Sequence, residues 1–273
     1  MLGTEIQPSL FDVLHSVLKG GGGWLKVAGV KNLLRLYDKT ERVGLQHPND
    51  VQLISLDLTL EDPAAAREHL TGVLQRFLVP CGLRRRTEIA RDRAIDRLVW
   101  CAAGVPRDFL SLLERSIGLA AQHQRKRVGV EEVNGAVGEY GQEKMSELEK
   151  DTTGENQRLS QIVEQLQSIV LDKHRSNCFL VRPDTSHDGY LSLRKLVDLR
   201  LVHLIHPSIT PDAAGNRYEA YLLDYSFYTG VRRRQRLTEL KIDSSDRPRY
   251  TTLRRLPKVD LDALIEGAGE PVT

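Results

Sequence analysis

Cys101-Ala-Ala-Gly-Val-Pro-Arg-Asp-Phe-Leu110 is the stretch around which the rest of the chain is organised. Glycine accepts the left-handed backbone that ends a helix, so Gly104 is the expected stop for the helix before it. Pro106 suits the first turn of the next helix, where its missing N–H would have had no intrahelical partner. Arg107 then projects from a helix N-terminus, held between two helices, and Asp108 beside it is favoured by the same helix end.

Helices lie on both sides of this corner. Asp62-Pro63 pairs an N-cap with a first-turn proline and opens a helix whose apolar stripe is Leu70, Val73, Leu74, Phe77 and Leu78; Pro80 and Gly82 stop it. The spacing predicts a second helix from Thr87 to Ala103, with Ile89, Ile95, Leu98, Val99 and Ala102 inward and Arg91, Asp92, Arg93, Asp96 and Arg97 toward water. A third runs from Pro106 to about Gln122. After the basic turn from Gln122 to Arg127, a fourth runs from Val130 to about Lys150 with Val133, Val137 and Tyr140 inward. Gly135, Gly138 and Gly141 each weaken that helix by up to about 1 kcal/mol relative to alanine. They mark either a close approach by a neighbour or a fraying helix.

Four such helices, with Gly104, Pro106 and Arg107 between the second and third, resemble the lid of AAA+ ATPases, most of all the origin-recognition and related bacterial types. The resemblance implies that Arg107 is the lid arginine that reaches the γ-phosphate of ATP. It also implies that Val51 to Leu58 is the last strand of the ATPase sheet, and that Trp24 to Asn32 is the sensor-one strand with Asn32 at its tip. A plain turn residue is the other reading of Asn32.

The residues that would cradle a triphosphate are missing. A helix from Pro8 to Lys19 ends at the glycines 20–23, but Trp24 and Leu25 separate them from Lys26, and Val27 stands where a phosphate loop needs a hydroxyl. Leu53-Ile-Ser-Leu-Asp57 has the form of a magnesium-binding strand, yet Leu58 replaces the second carboxylate. The chain is therefore expected to have no ATPase activity by itself, with ATP and magnesium held only if a partner chain completes the site.

After the polar segment 151–156 the pattern changes. Leu159, Ile162, Val163, Leu166, Ile169 and Val170 define a helix, Cys178 to Val181 a strand, and Leu191 to Arg200 a further helix. Val202 to Ile205 pairs with Arg217 to Tyr225 across the turn from Pro211 to Asn216 as a hairpin. This order resembles a winged-helix domain, though Val181 to Tyr190 leaves no room for its usual middle helix. The resemblance implies DNA contacts from Arg194, Lys195 and Arg200 on the helix and Asn216 and Arg217 on the wing. Docking to a protein through the same hairpin is the other reading. Beyond Gly230, Arg232, Arg233, Arg234 and Arg236 head a basic segment that suits either nonspecific phosphate binding or a solvated tail.

Composition is that of a soluble globular protein: of 273 residues, 28% are charged and 40% hydrophobic, and the net charge is +2. Cys81, Cys101 and Cys178 are too few and too scattered for a disulfide framework or zinc knuckle and read as reduced thiols of a cytoplasmic protein. No apolar run spans a membrane. Ser186, His187 and Asp188 are too close in sequence to adopt triad geometry, and His203 with His206 is too little for a metal site.

The expected fold is thus mostly α with small β elements. Its parts are a partial α/β ATPase core (1–61), a four-helix lid (62–150), a linker (151–156), a winged-helix-like domain (157–230) and a basic tail (231–273). The expected function is non-catalytic binding of DNA or a partner protein. The alternative is a split ATPase, in which this chain supplies Arg107 to a Walker-containing subunit; self-association is the other partnership expected.

Overall fold

The computed structural model describes residues 5–29, 34–54, 58–150, 154–212, 215–229, 237–240 and 250–266. They form a mostly helical fold with small antiparallel sheets, in two compact units, Met1–Leu56 and Asp57–Thr273.

In the first unit, α1 (Gln7–Gly21) ends at Gly22 in the left-handed conformation, as the glycine run dictates. A minimal hairpin follows, β1 (Tyr37–Asp38) against β2 (Val43–Gly44), tied to the helix where Gln7 Oε1 accepts from the Arg35 amide at 2.9 Å. The two strands expected of an ATPase core are not found among the described residues. Residues 24–29 carry no strand and Trp24 is 91% exposed. Residues 51–54 carry none either, with Ile54 75% exposed, while Asn32 and Asp57 lie outside the described residues. An isolated apolar run gains strand stability only from a hydrogen-bonded neighbour and a buried face, and the described residues of neither segment form a ladder.

The second unit opens with α2 (Pro63–Leu78), whose N-cap Asp62 accepts from the Ala65 amide at 3.1 Å. The second helix starts later than its periodicity predicts: a short 3-10 turn at Arg86–Glu88 precedes α3 (Asp92–Ala102). The cause is a backbone bridge, with Arg91 N–H donating to the Val128 carbonyl at 3.0 Å and Val128 N–H to Ile89 at 2.8 Å, which draws the entry to α3 out of helical geometry. α4 (Pro106–Gln122) and α5 (Val130–Lys150) match their predicted bounds. Leu70, Leu74, Leu98, Phe109, Leu112, Val133 and Val137 from α2 to α5 interlock in one core.

That core continues past the expected boundary at 151–156. α6 (Gly154–Leu166) runs on into a π-helical turn, Gln167–Lys173, and contributes Ile162, Leu166 and Val170 to the same cluster. β3 (Cys178–Val181), α7 (Asp188–Asp198), β4 (Val202–Ile209) and β5 (Tyr218–Leu223) follow, with no helix between Val181 and Asp188. The antiparallel sheet has the order β3-β5-β4.

Side chains alternate across a strand, and here both faces are covered. Phe179, Val181, Tyr221 and Leu223 face the large core, while Cys178, Leu180, Ala220 and Leu222 face a second cluster with Leu60 and Leu253. Part of that second cover comes from the segment beyond Gly230, for which a solvated tail is one of two readings. Its described residues pack back through α8 (Tyr250–Leu253) and α9 (Leu261–Glu266), and Leu253 and Leu264 are fully buried. The β3 edge is satisfied as well: Leu180 N–H donates to Pro257, and Val259 N–H donates to Leu180, both at 2.8 Å.

Candidate functional site

The corner at Arg107 is built by two consecutive left-handed residues. Ala103 (φ +48°) caps α3 and Gly104 (φ +87°) completes the reversal, so the stop assigned to Gly104 is shared with its neighbour. Gly104 is also a close crossing: a Cβ there would lie 1.6 Å from the Leu58 carbonyl oxygen. Pro106 sits in the first turn of α4. Arg107 then stands 75% exposed, its Nε 3.7 Å from Asp108 Oδ1, while Asp108 itself is 3% exposed.

Asp108 anchors a buried charge network that joins the four helices to the sheet half of the unit. Arg200 Nη1 donates to its Oδ1 at 2.7 Å and the Tyr140 hydroxyl donates at 3.1 Å. Lys144 Nζ lies 3.9 Å from Asp108 Oδ2 and 3.5 Å from Asp224 Oδ2. Asp224 caps the turn Tyr225–Phe227 by accepting from Ser226 N–H at 3.0 Å, and it lies 3.1 Å from His203 Nε2. Burial alone would raise the Asp224 pKa, but Lys144, His203 and Ser226 outweigh it and hold the carboxyl well below its ordinary range. Burial, followed by the Asp108 charge, raises the Tyr140 pKa.

Two of the three helix cations expected to meet DNA are engaged within the fold. Arg200, itself left-handed at φ +59°, is committed to Asp108, and Arg194 hydrogen-bonds the Tyr221 hydroxyl in a cluster with Tyr190 and Glu219. Lys195 and Arg217 stay exposed and Asn216 is half-buried. Arg232, Arg233, Arg234 and Arg236 lie outside the described residues. Asp212, which would repel phosphate from the hairpin tip, receives Lys258 at 2.7 Å. His187 serves as the N-cap of α7, accepting from the Gly189 amide at 3.1 Å, with Nε2 2.9 Å from Asp262.

Lys144 and Asp224 carry no motif, and the network they complete was not legible in the sequence. The one local signal was Asp224-x-Ser226, a capping pattern in which a short acid accepts from the amide two residues on. Burial pushes the Cys101 and Cys178 thiols up, which leaves both as inert packing groups. Among the described residues no cluster of His, Cys, Asp or Glu is arranged to hold a metal, and no helix is long and apolar enough to cross a membrane. Comparison with known proteins finds no match among protein families, characterised proteins or solved structures.

Proposed function

We propose that the chain is a non-catalytic module of AAA+ descent that works by binding, and that its helical cap presents Arg107 to a nucleotide held by a Walker-bearing partner. The observation that carries this reading is the contrast at the corner. Arg107 is 75% exposed at a helix N-terminus, while the adjacent Asp108 is fixed by Arg200 and Tyr140. A mobile surface arginine would lose conformational entropy on meeting a phosphate; one mounted on a rigid turn loses less. Winged-helix-like contacts with DNA are the companion reading, supported by exposed Lys195 and Arg217 beside the β4–β5 hairpin.

The test is nucleotide-dependent association. A candidate Walker-bearing ATPase is titrated with the wild-type chain and with Arg107→Ala, under ATP and under ADP. Tighter association under ATP, lost in the variant, is the expected result. Equal association of both proteins under both nucleotides refutes the role of Arg107. ATP turnover by the purified chain, abolished by Arg107→Ala, refutes the non-catalytic assignment.

A further inference from the structure

We propose that the end of the helical cap remote from Arg107 is a second, preformed surface that docks the phosphate backbone of duplex DNA. Two segments far apart in sequence meet there. The turn before α3 and the turn after α4 are stitched by the Arg91 to Val128 and Val128 to Ile89 backbone bonds, and Arg127 Nη1 donates to the Thr87 carbonyl at 3.3 Å. Arg84, Arg85, Arg91, Lys126 and Arg127 are thereby gathered, all exposed, at one end of the bundle.

The acids of both segments are already engaged. Glu88 accepts from the Arg84 and Arg85 amides at 2.9 and 2.7 Å, and Asp92 lies 3.7 Å from Arg86. Glu131 and Glu132 are held by Arg125 at 2.7 and 3.1 Å. The five remaining cations have no carboxylate partner among the described residues. Leu83, Ile89, Ala90 and Val128 of these segments turn into the core, and the exposed apolar side chains nearest in sequence, Phe77 and Val79, lie at the end of α2, so charge is what selects the occupant. Four of the five cations are guanidinium groups, whose planar donor fork matches phosphate oxygens. The 17 residues of α4 put this surface roughly 25 Å from Arg107.

The inference is independent of the nucleotide reading and supplies the DNA partner with a surface other than α7. A mixed-sequence duplex of about 30 base pairs is titrated over a range of salt concentrations. If all five groups meet phosphates, affinity falls with a log–log slope of about −4.5, or roughly 500-fold between 50 and 200 mM salt. The R84A/R85A/R91A/K126A/R127A variant should lose most of that slope and about 100-fold or more in affinity at the lower salt. The matching variant with lysine at the four arginines keeps the charge and should keep most of the slope, which separates lost contacts from misfolding. If K195A/R217A abolishes binding and the five-site variant does not, the cap surface is refuted while DNA binding through the hairpin stands. A wild-type chain that binds phosphatidylserine vesicles but not duplex, or binds neither, also overturns the inference. No nucleotide enters the measurement, so either outcome leaves the Arg107 proposal to its own test.

Discussion

Arg200 and Asp108 stand 92 positions apart in the chain and meet at 2.7 Å. The contact sets two buried carboxylates, Asp108 and Asp224, against Arg200 and Lys144, with the exposed Arg107 at the edge, 3.7 Å from Asp108, and the Lys144 ammonium also 3.5 Å from the Arg200 carbonyl. Buried charge is tolerated only when it is paired and hydrogen-bonded. The same contact ties the residue after the exposed Arg107 to the end of α7. A displacement of the α4 N-terminus therefore acts directly on the helix that leads into the hairpin.

The network should behave as a unit in a double-mutant cycle. Asp108→Asn strands Arg200 and leaves Lys144 with Asp224 alone, and a loss of about 3 kcal/mol is expected. Arg200→Ala should cost less, about 1–2 kcal/mol, since the arginine is partly solvated and Asp108 keeps Tyr140. The double variant should fall short of the sum by about 1–2 kcal/mol. Urea titrations of the four proteins measure this, and strict additivity would show that the pair is not coupled.

Two glycines on one face of α5 should respond oppositely to alanine. A Cβ on Gly138 meets nothing within 4 Å, so Gly138→Ala should stabilise the protein by about 0.5–1 kcal/mol through helix propensity. A Cβ on Gly141 would lie 2.1 Å from the Ser226 side chain, and the turn bearing Ser226 is pinned by Asp224. Gly141→Ala should therefore destabilise by about 1–3 kcal/mol, as overpacking does. Thermal melts that shift in the same direction for both would sink this account of the helix.

What the sequence disclosed and what it hid follow from how local each cause is. The bounds of α4 and α5 were readable because Pro106, the apolar stripe and the basic turn all act within a few residues. The delayed start of α3 was not, because its cause is Val128, on another turn. Docking of the C-terminal segment was foreseeable only in part: Leu261 to Ile265 reads as an amphipathic turn, but Leu253 lies among arginines. A sharper signal was Cys178-Phe-Leu-Val181. Four consecutive apolar residues in a strand need cover on both faces, and the later segment supplies part of the second through Leu253, beside Leu60 and Ala103. Of the candidate site, the exposed Arg107 could be read from its turn; the fate of Arg194 and Arg200 could not, because Tyr221 and Asp108 are distant in sequence.

Asp224 should set much of the acid limb of stability. Its folded pKa is depressed, so its contribution is fully present above the unfolded carboxylate value of about 3.9 and is lost as pH falls below that toward the folded value. Buried Glu132 adds in the same direction: burial raises its pKa, but His123, the Gly129 amide and Arg125 lower it further. The groups facing Asp224 include Lys144 at 3.5 Å, His203 at 3.1 Å, and the Ser226 amide and hydroxyl at 3.0 and 2.5 Å. Asp224→Asn keeps the shape but removes the charge, leaving Lys144 with Asp108 alone. The variant should be less stable than wild type at neutral pH by about 3 kcal/mol. The gap should narrow as pH drops through about 4 to 2, because the unfolded wild-type chain then binds a proton at this carboxyl that the folded state does not. Melting temperatures recorded across that range decide the matter, since a constant gap would mean that the Asp224 charge contributes nothing to the stability of this network.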